Sequence, residues 1–412
     1  MQLRPNFCRL AAVFALALSL LWQNPLPARA AVANFCWCGF FVSTESNQPE
    51  LNHQLGKIYQ AHLKRYEDPD NGVIIGLLKS LQWDEMTYLG YLGMTQDEPT
   101  GALQQLENLD TTYGLFLALE QVLAFAPDES LVHGQPVKTY VGYLFGSLNL
   151  FHLQSRNLLS SRPFFVIQQE RQPTKTSAML DLALTELAHR LEDRKNLFTR
   201  KMLSDWQEFF GLPGEQRDIL RRLSGQLDET FGVAPLCPGC VRVQGTTLNE
   251  ETANQLKTFI RYYFNATLAN HRPVVFLPGF SGQATESVHT LVTANKEGDV
   301  VFSEECLGGY GDSGQTRLCL KVPAPKNLVK LSLRCLVEEE NHQAEQETFV
   351  RSYTSLLDFA LFTKGLEAPQ VHSLSNTYRQ LLTTTRKPSD LYYFNSVINA
   401  ITQFSPALLA GP

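Results

Sequence analysis

The sequence predicts an α+β protein that is predominantly helical: an N-terminal helical bundle, then a smaller antiparallel-sheet-plus-helix unit, then terminal helices. Three observations lead there. Apolar residues recur at helical spacing through most of 49–232. At Gly232 the pattern changes to short extended segments separated by turn residues. Helical spacing returns from Gln343.

The first thirty residues read as a cleavable secretory signal. Arg4 and Arg9 form a basic start, Leu10 to Trp22 is apolar, and Ala28-Arg29-Ala30 is a small-x-small cleavage site. The apolar stretch falls short of the about 20 residues that a spanning helix needs. No later segment reaches that length, so no transmembrane segment is expected after cleavage. The expected location is extracytoplasmic: periplasmic, cell-surface or secreted.

The 412 residues less the 30 of the signal leave 382, which is long for one core and points to two domains. The signal holds three of the 35 basic residues and none of the 41 acidic ones, so 32 − 41 leaves a charge of −9. That balance argues against a nucleic-acid partner, which needs clustered Lys and Arg.

Residues 31–48 form a cysteine-containing segment with Cys36 and Cys38. In the expected bundle, 49–232, Leu51, Leu55, Ile58, His62 and Tyr66 make one stripe. Tyr113 to Phe125 is apolar nearly all round, as in a helix buried inside a bundle. The longest expected helix runs from about 176 to 210, with Leu180, Leu184, Leu187, Leu191 and Phe198 on one face. The α+β unit, 233–342, opens with Cys237-Pro238-Gly239-Cys240. A capping box of Thr247 and Glu250 then starts a helix that runs to about Asn270. Extended segments follow over 273–277, 288–294, 299–303, 317–322 and 328–337. In 343–412, Phe349, Tyr353, Leu356 and Ala360 make a helical stripe, and Pro388-Ser389-Asp390 opens the last helix.

Seven cysteines follow the signal, and export makes disulfides the default. Cys306–Cys319 would close a glycine-rich loop between two strands. Cys237 and Cys240 read as a structural disulfide. Their redox alternative needs a helix starting at the first cysteine, which lowers its pKa, whereas Val241-Arg242-Val243 looks extended. Joining this pair to Cys36 and Cys38 would give a four-sulfur metal set, but Cys36-Trp37-Cys38 has a spacing of one where zinc knuckles use two to four.

Other chemical candidates are incomplete. Glu50 with His53 and Glu186 with His189 match the Glu-x-x-His spacing of di-metal bundles, with Glu120 as a further buried carboxylate. Gly279-Phe280-Ser281-Gly282 and Gly311-Asp312-Ser313-Gly314 resemble nucleophile loops. Each has Gln where the last Gly of G-x-S-x-G belongs, and His289 would be the base. Gly309 to Gly314 matches G-x-G-x-x-G but leads into a strand, which excludes dinucleotide binding. Asn265-Ala266-Thr267 is a glycan acceptor pattern inside an expected helix.

No cofactor is expected. The reading that follows is an exported, disulfide-containing, non-catalytic protein that binds a protein partner or joins an envelope assembly. The alternative is an exported enzyme, either a thiol–disulfide oxidoreductase or a serine hydrolase.

Overall fold

The computed structural model describes 33–42, 86–91, 111–124, 128–132, 135–171, 231–233, 239–245, 249–271, 302–311, 314–323, 327–343, 348–363, 368–383 and 391–409, with single residues elsewhere. The signal segment lies outside the described residues.

The described chain is mostly β, which corrects the expected helical bundle. It holds thirteen strands and two α-helices, arranged as two mixed sheets. The first sheet comprises β1 (Ala33–Val42), β2 (Met86–Tyr91), β3 (Thr112–Ala124), β4 (Asp128–Val132), β5 (Gln135–His152) and β6 (Leu158–Glu170), with β9 (Phe302–Gly311) and β10 (Gly314–Pro323). The second comprises β7 (Phe231–Val233), β8 (Val241–Gln244), β11 (Asn327–Gln343), β12 (Thr348–Thr363) and β13 (Gln370–Thr383). Helix α1 is Glu250–Ala269 and α2 is Leu391–Ile401.

The largest error of the sequence reading is β3, which was expected as a buried helix. Its residues from Thr112 to Glu120 are all buried, because it lies between β1 and β5 in a sheet covered on both faces. Such a strand has no polar face, and its continuous apolar run is then indistinguishable from a buried helix. The expected terminal helix on Phe349, Tyr353, Leu356 and Ala360 is β12. There Tyr353, Leu357, Phe359 and Leu361 face the core at the strand period of two. Over 185–204 a few residues are described. Asp193 N–H donates to His189 O and Arg200 N–H to Asn196 O, with a turn between them.

In the first sheet β1 runs parallel to β3 on one side. On the other it pairs with β2 over its first half and with β9 over its second. Beyond β9 lies β10, and the sheet curls back. An isolated bridge joins Asn157, just before β6, to Lys321 of β10, and Lys321 N–H donates to Arg156 O at 2.8 Å. The curl encloses an apolar cluster of Phe41, Phe116, Phe151, Leu158, Leu318 and Val322.

A second, larger core joins the two sheets. It runs from Tyr143 and Phe145 of β5 through α1 to β11, β12 and α2, so it crosses the expected domain boundary at Gly232. Phe259 of α1 is its hinge point, edge-on to Tyr143 at 5.0 Å and to Phe394 of α2 at 5.0 Å. Each fully buried ring of this size contributes about 1.5–3 kcal/mol. Helix α1 starts where a polar cap meets that apolar stripe. The cap is Asn249, whose side chain accepts from Thr252 N–H at 2.7 Å, rather than the expected Thr247. Among the described residues no helix is long and apolar enough to cross a membrane.

Candidate binding site

One buried cluster of polar side chains is built into the first sheet. Between Leu119 and Gln121 the β3–β5 register shifts, and the bulged residue is Glu120. Its carboxylate accepts from Ser147 Oγ at 2.7 Å. Asn149 Nδ2 donates to Ser147 Oγ at 2.9 Å and to Ser147 O at 3.0 Å. Ser161 of β6 stands directly opposite Asn149 in register. All four are buried, Glu120 and Asn149 to 1 % exposure and Ser161 to 3 %. Ser147 and Asn149 share one face of β5 with Phe145 and Phe151. The polar layer therefore lies between the enclosed cluster around Phe151 and the ring cluster where Phe145 meets Phe259 and Tyr262. Burying such groups is costly unless they are bonded, so their presence needs a reason.

Beside this layer a groove of about 580 Å³ opens between β3 and the first turns of α1. Gln121 and Leu123 form one wall, and Glu250, Glu251, Asn254 and Thr258 form the other. Its acidic wall follows from α1 itself, whose first turn carries two glutamates.

The cysteines divide into two kinds. Cys36, Cys38 and Cys335 are free and buried, which corrects the expectation that export oxidises the thiols as a default. Cys240 and Cys319 do not titrate, each being held in a disulfide. Cys306 is the residue opposite Cys319 in the β9–β10 ladder. Cys240 sits in a turn whose next residues are β8, so no helix begins at that motif. The thiols of Cys36 and Cys38 lie 3.8 Å apart, and Cys36 also contacts Tyr113 O at 3.5 Å. The bond to Cys38 and burial push the Cys36 thiol well above its ordinary value. Burial likewise pushes Cys335 up to about 11, with opposing hydrogen bonds from Ser355 and Ser396. These are protonated thiols in apolar surroundings, the opposite of an activated nucleophile.

Of the remaining sequence candidates, Glu120 and His189 are described. Glu50, His53, Glu186, Ser281, His289, Ser313 and Cys237 lie outside the described residues. Glu120 sits on a strand and His189 is exposed. Among the described residues no group of three His, Cys, Asp or Glu side chains could hold a metal. Asn265 is fully buried in α1, which closes the glycan acceptor pattern in the folded chain. His152 Nδ1 lies 2.9 Å from Ser155 Oγ and also receives Ser155 N–H. Both contacts close the β5–β6 turn.

Sequence reasoning missed Ser147, Asn149 and Ser161. The signal was there in Tyr143-Leu144-Phe145-Gly146-Ser147-Leu148-Asn149-Leu150-Phe151. Two polar residues at a spacing of two inside an apolar run share a strand face, and a helix would have separated them.

No family model matches this chain, and no curated protein does. Among solved structures, a Helicobacter pylori homologue of neuraminyllactose-binding hemagglutinin aligns at 9% identity and TM-score 0.26, covering 44% of this chain and 91% of that one. A Xanthomonas campestris protein of the DUF330 family aligns at 14% identity and TM-score 0.18, covering 45% of this chain and 93% of that one. Likenesses this weak carry nothing about fold or function.

Proposed function

We propose that this chain is an extracytoplasmic protein that binds a protein partner or takes part in an envelope assembly, without catalysis of its own. The observation that carries the reading is the free edge of the second sheet. Strand β13 is fourteen residues long, and among the described residues it pairs only with β12. Among the described residues its far edge meets no other strand and so is a template for one more. Folded proteins usually guard such an edge with prolines, lysines or a short strand. Here Gln370–Thr383 contains no proline and no lysine, and Arg379 is its one charged residue. A long unguarded edge suits an occupant, and an extended segment of another protein fits it by strand addition. On the exposed face Val371 (64 % exposed), Ser373, Ser375 and Thr377 would flank that segment. Cys36, Cys38 and Cys335 are buried, which gives thiol catalysis no comparable support.

The test is site-specific photocrosslinking in cells that make the protein naturally, followed by fractionation. A crosslinker at Ser375 or Thr377 should yield an adduct with an envelope protein, while one at the exposed Glu251 of α1 should not. Absence of any adduct along β13, or recovery of the chain in the cytoplasmic fraction, would overturn the reading.

A further inference from the structure

We propose that the edge of β13 is a self-association surface, and that its occupant is β13 of a second copy of this chain. The inference rests on the reading of that edge as open and names what fills it. Among the described residues β13 pairs with β12 alone. A two-fold axis through Ser375, perpendicular to the sheet, sets two copies of β13 side by side and antiparallel. Each residue then stands opposite the one equally far from Ser375 in the second copy. Ser375 meets Ser375, Ser373 meets Thr377 and Val371 meets Arg379. The exposed faces of both copies lie on the same side of one continuous sheet.

The hydroxyls of this face select a second copy. Thr377 Oγ1 lies 2.9 Å from Thr354 Oγ1 across the β12–β13 ladder, and Ser373 donates its proton to the Asp358 carboxylate. Ser373 can therefore only accept a further bond. Thr377, accepting from Thr354, keeps a proton to donate. The strand thus carries a donor at 377 and an acceptor at 373, placed symmetrically about Ser375. Across the paired edge Thr354 donates to Thr377, Thr377 to Ser373 of the second copy, and that serine to its own Asp358. Symmetry makes the same relay twice. Cross-strand hydroxyl pairs of this kind stabilise a sheet, whereas like charges set opposite each other do not. Arg379 is the one charged residue of β13, and this register keeps the two copies of it eight residues apart. At 3.3 Å per residue that is about 26 Å, well beyond the Debye length of about 8 Å. Val371 is the most exposed of the large apolar side chains described, at 64 %, and it would lie along the aliphatic stem of Arg379. Contact along one strand edge is small beside a standard interface, so the association should be reversible and concentration-dependent.

The experiment is cysteine substitution in the full chain under mild oxidation, with linked dimer read on non-reducing gels and the parent chain as control for its own cysteines. Directly opposite residues have Cα atoms about 4.5–5.5 Å apart, within reach of a disulfide. Ser375→Cys should link to itself. Ser373→Cys and Thr377→Cys should each link poorly alone and well when the two variants are mixed. Ser375→Lys sets like charges opposite each other. It should weaken self-association, followed by sedimentation over a range of concentrations, by about fivefold and leave the melting temperature of the monomer unchanged. No linkage at Ser375→Cys, equal linkage at all three sites, or a parent chain that stays monomeric at every concentration would overturn the second copy as occupant. Photocrosslinking at Ser375 that captures a different envelope protein would also remove the self-pairing while leaving the open edge intact. Absence of any adduct by either method would remove both.

Discussion

In the first sheet every side chain from Thr112 to Glu120 is buried, whereas β11 in the second sheet buries Val329, Leu331, Leu333, Cys335 and Val337 and leaves Arg334, Leu336 and Glu338 exposed. Strand β3 is covered on both faces and β11 on one. In the first, side chains carry stability wherever they point. In the second, the inner face carries stability and the outer face meets solvent. The buried polar layer of Glu120, Ser147 and Asn149 belongs to strands covered on both faces.

The comparison breaks most directly by truncation. Phe151 is fully buried and packs edge-on to Phe116 at 5.7 Å. Phe151→Ala should cost about 3–5 kcal/mol, the range for emptying an aromatic site in a core. Leu336, 38 % exposed on the open face of β11, should cost no more than about 0.5 kcal/mol when truncated to Ala. Urea unfolding of the two variants decides the matter, and similar losses would dissolve the contrast between the sheets.

A second test uses pH on the inner face alone. The unfolded thiol of Cys335 titrates near 9.0 and the folded one near 11, because burial penalises the thiolate. Below pH 9 the thiol is protonated in both states and its contribution is fully present. Between 9 and 11 the unfolded chain releases a proton that the folded chain keeps, so stability falls as pH rises. Two pH units correspond to about 3 kcal/mol. Tyr143 and Cys36 are shifted in the same direction, so the parent chain weakens for several reasons. Subtracting the pH profile of Cys335→Ala isolates the one thiol. A difference flat from pH 8 to 11 would mean that Cys335 is open to water.

How much of this was legible depended on the same contrast. Segment 328–337 was readable as a strand because Lys330, Ser332 and Arg334 alternate with Val329, Leu331 and Leu333. Helix α1 was readable because a polar cap precedes an apolar stripe, although the cap was placed two residues early. Strands β3 and β5 were not readable as strands, since burial on both faces erases the period of two. Strand β12 was misread for another reason: Phe349, Tyr353, Leu356 and Ala360 lie at helical spacing by accident, across both of its faces. The polar layer vanished with β3 and β5, because Glu120 looks like a lone helical carboxylate until β5 is set beside it. Its partners come from residues 27 and 29 positions later in sequence, and only strand pairing brings them together.

The smallest expected effect lies on the outer face of the second sheet. Arg334 reaches Asp358 diagonally across the β11–β12 ladder at 3.0 Å, and Ser373 of β13 donates to the same carboxylate, so three strands share one polar relay. The Arg334 side chain is 62 % exposed, where water and salt screen the pair. Arg334→Ala should therefore cost about 0.2–1 kcal/mol, and less at high salt. A double-mutant cycle with Ser373→Ala should give a coupling within that same small range, as expected for groups that share an exposed acceptor. A larger, salt-insensitive coupling would show that this face is desolvated in solution. The outer face of the second sheet would then resemble the covered faces of β3.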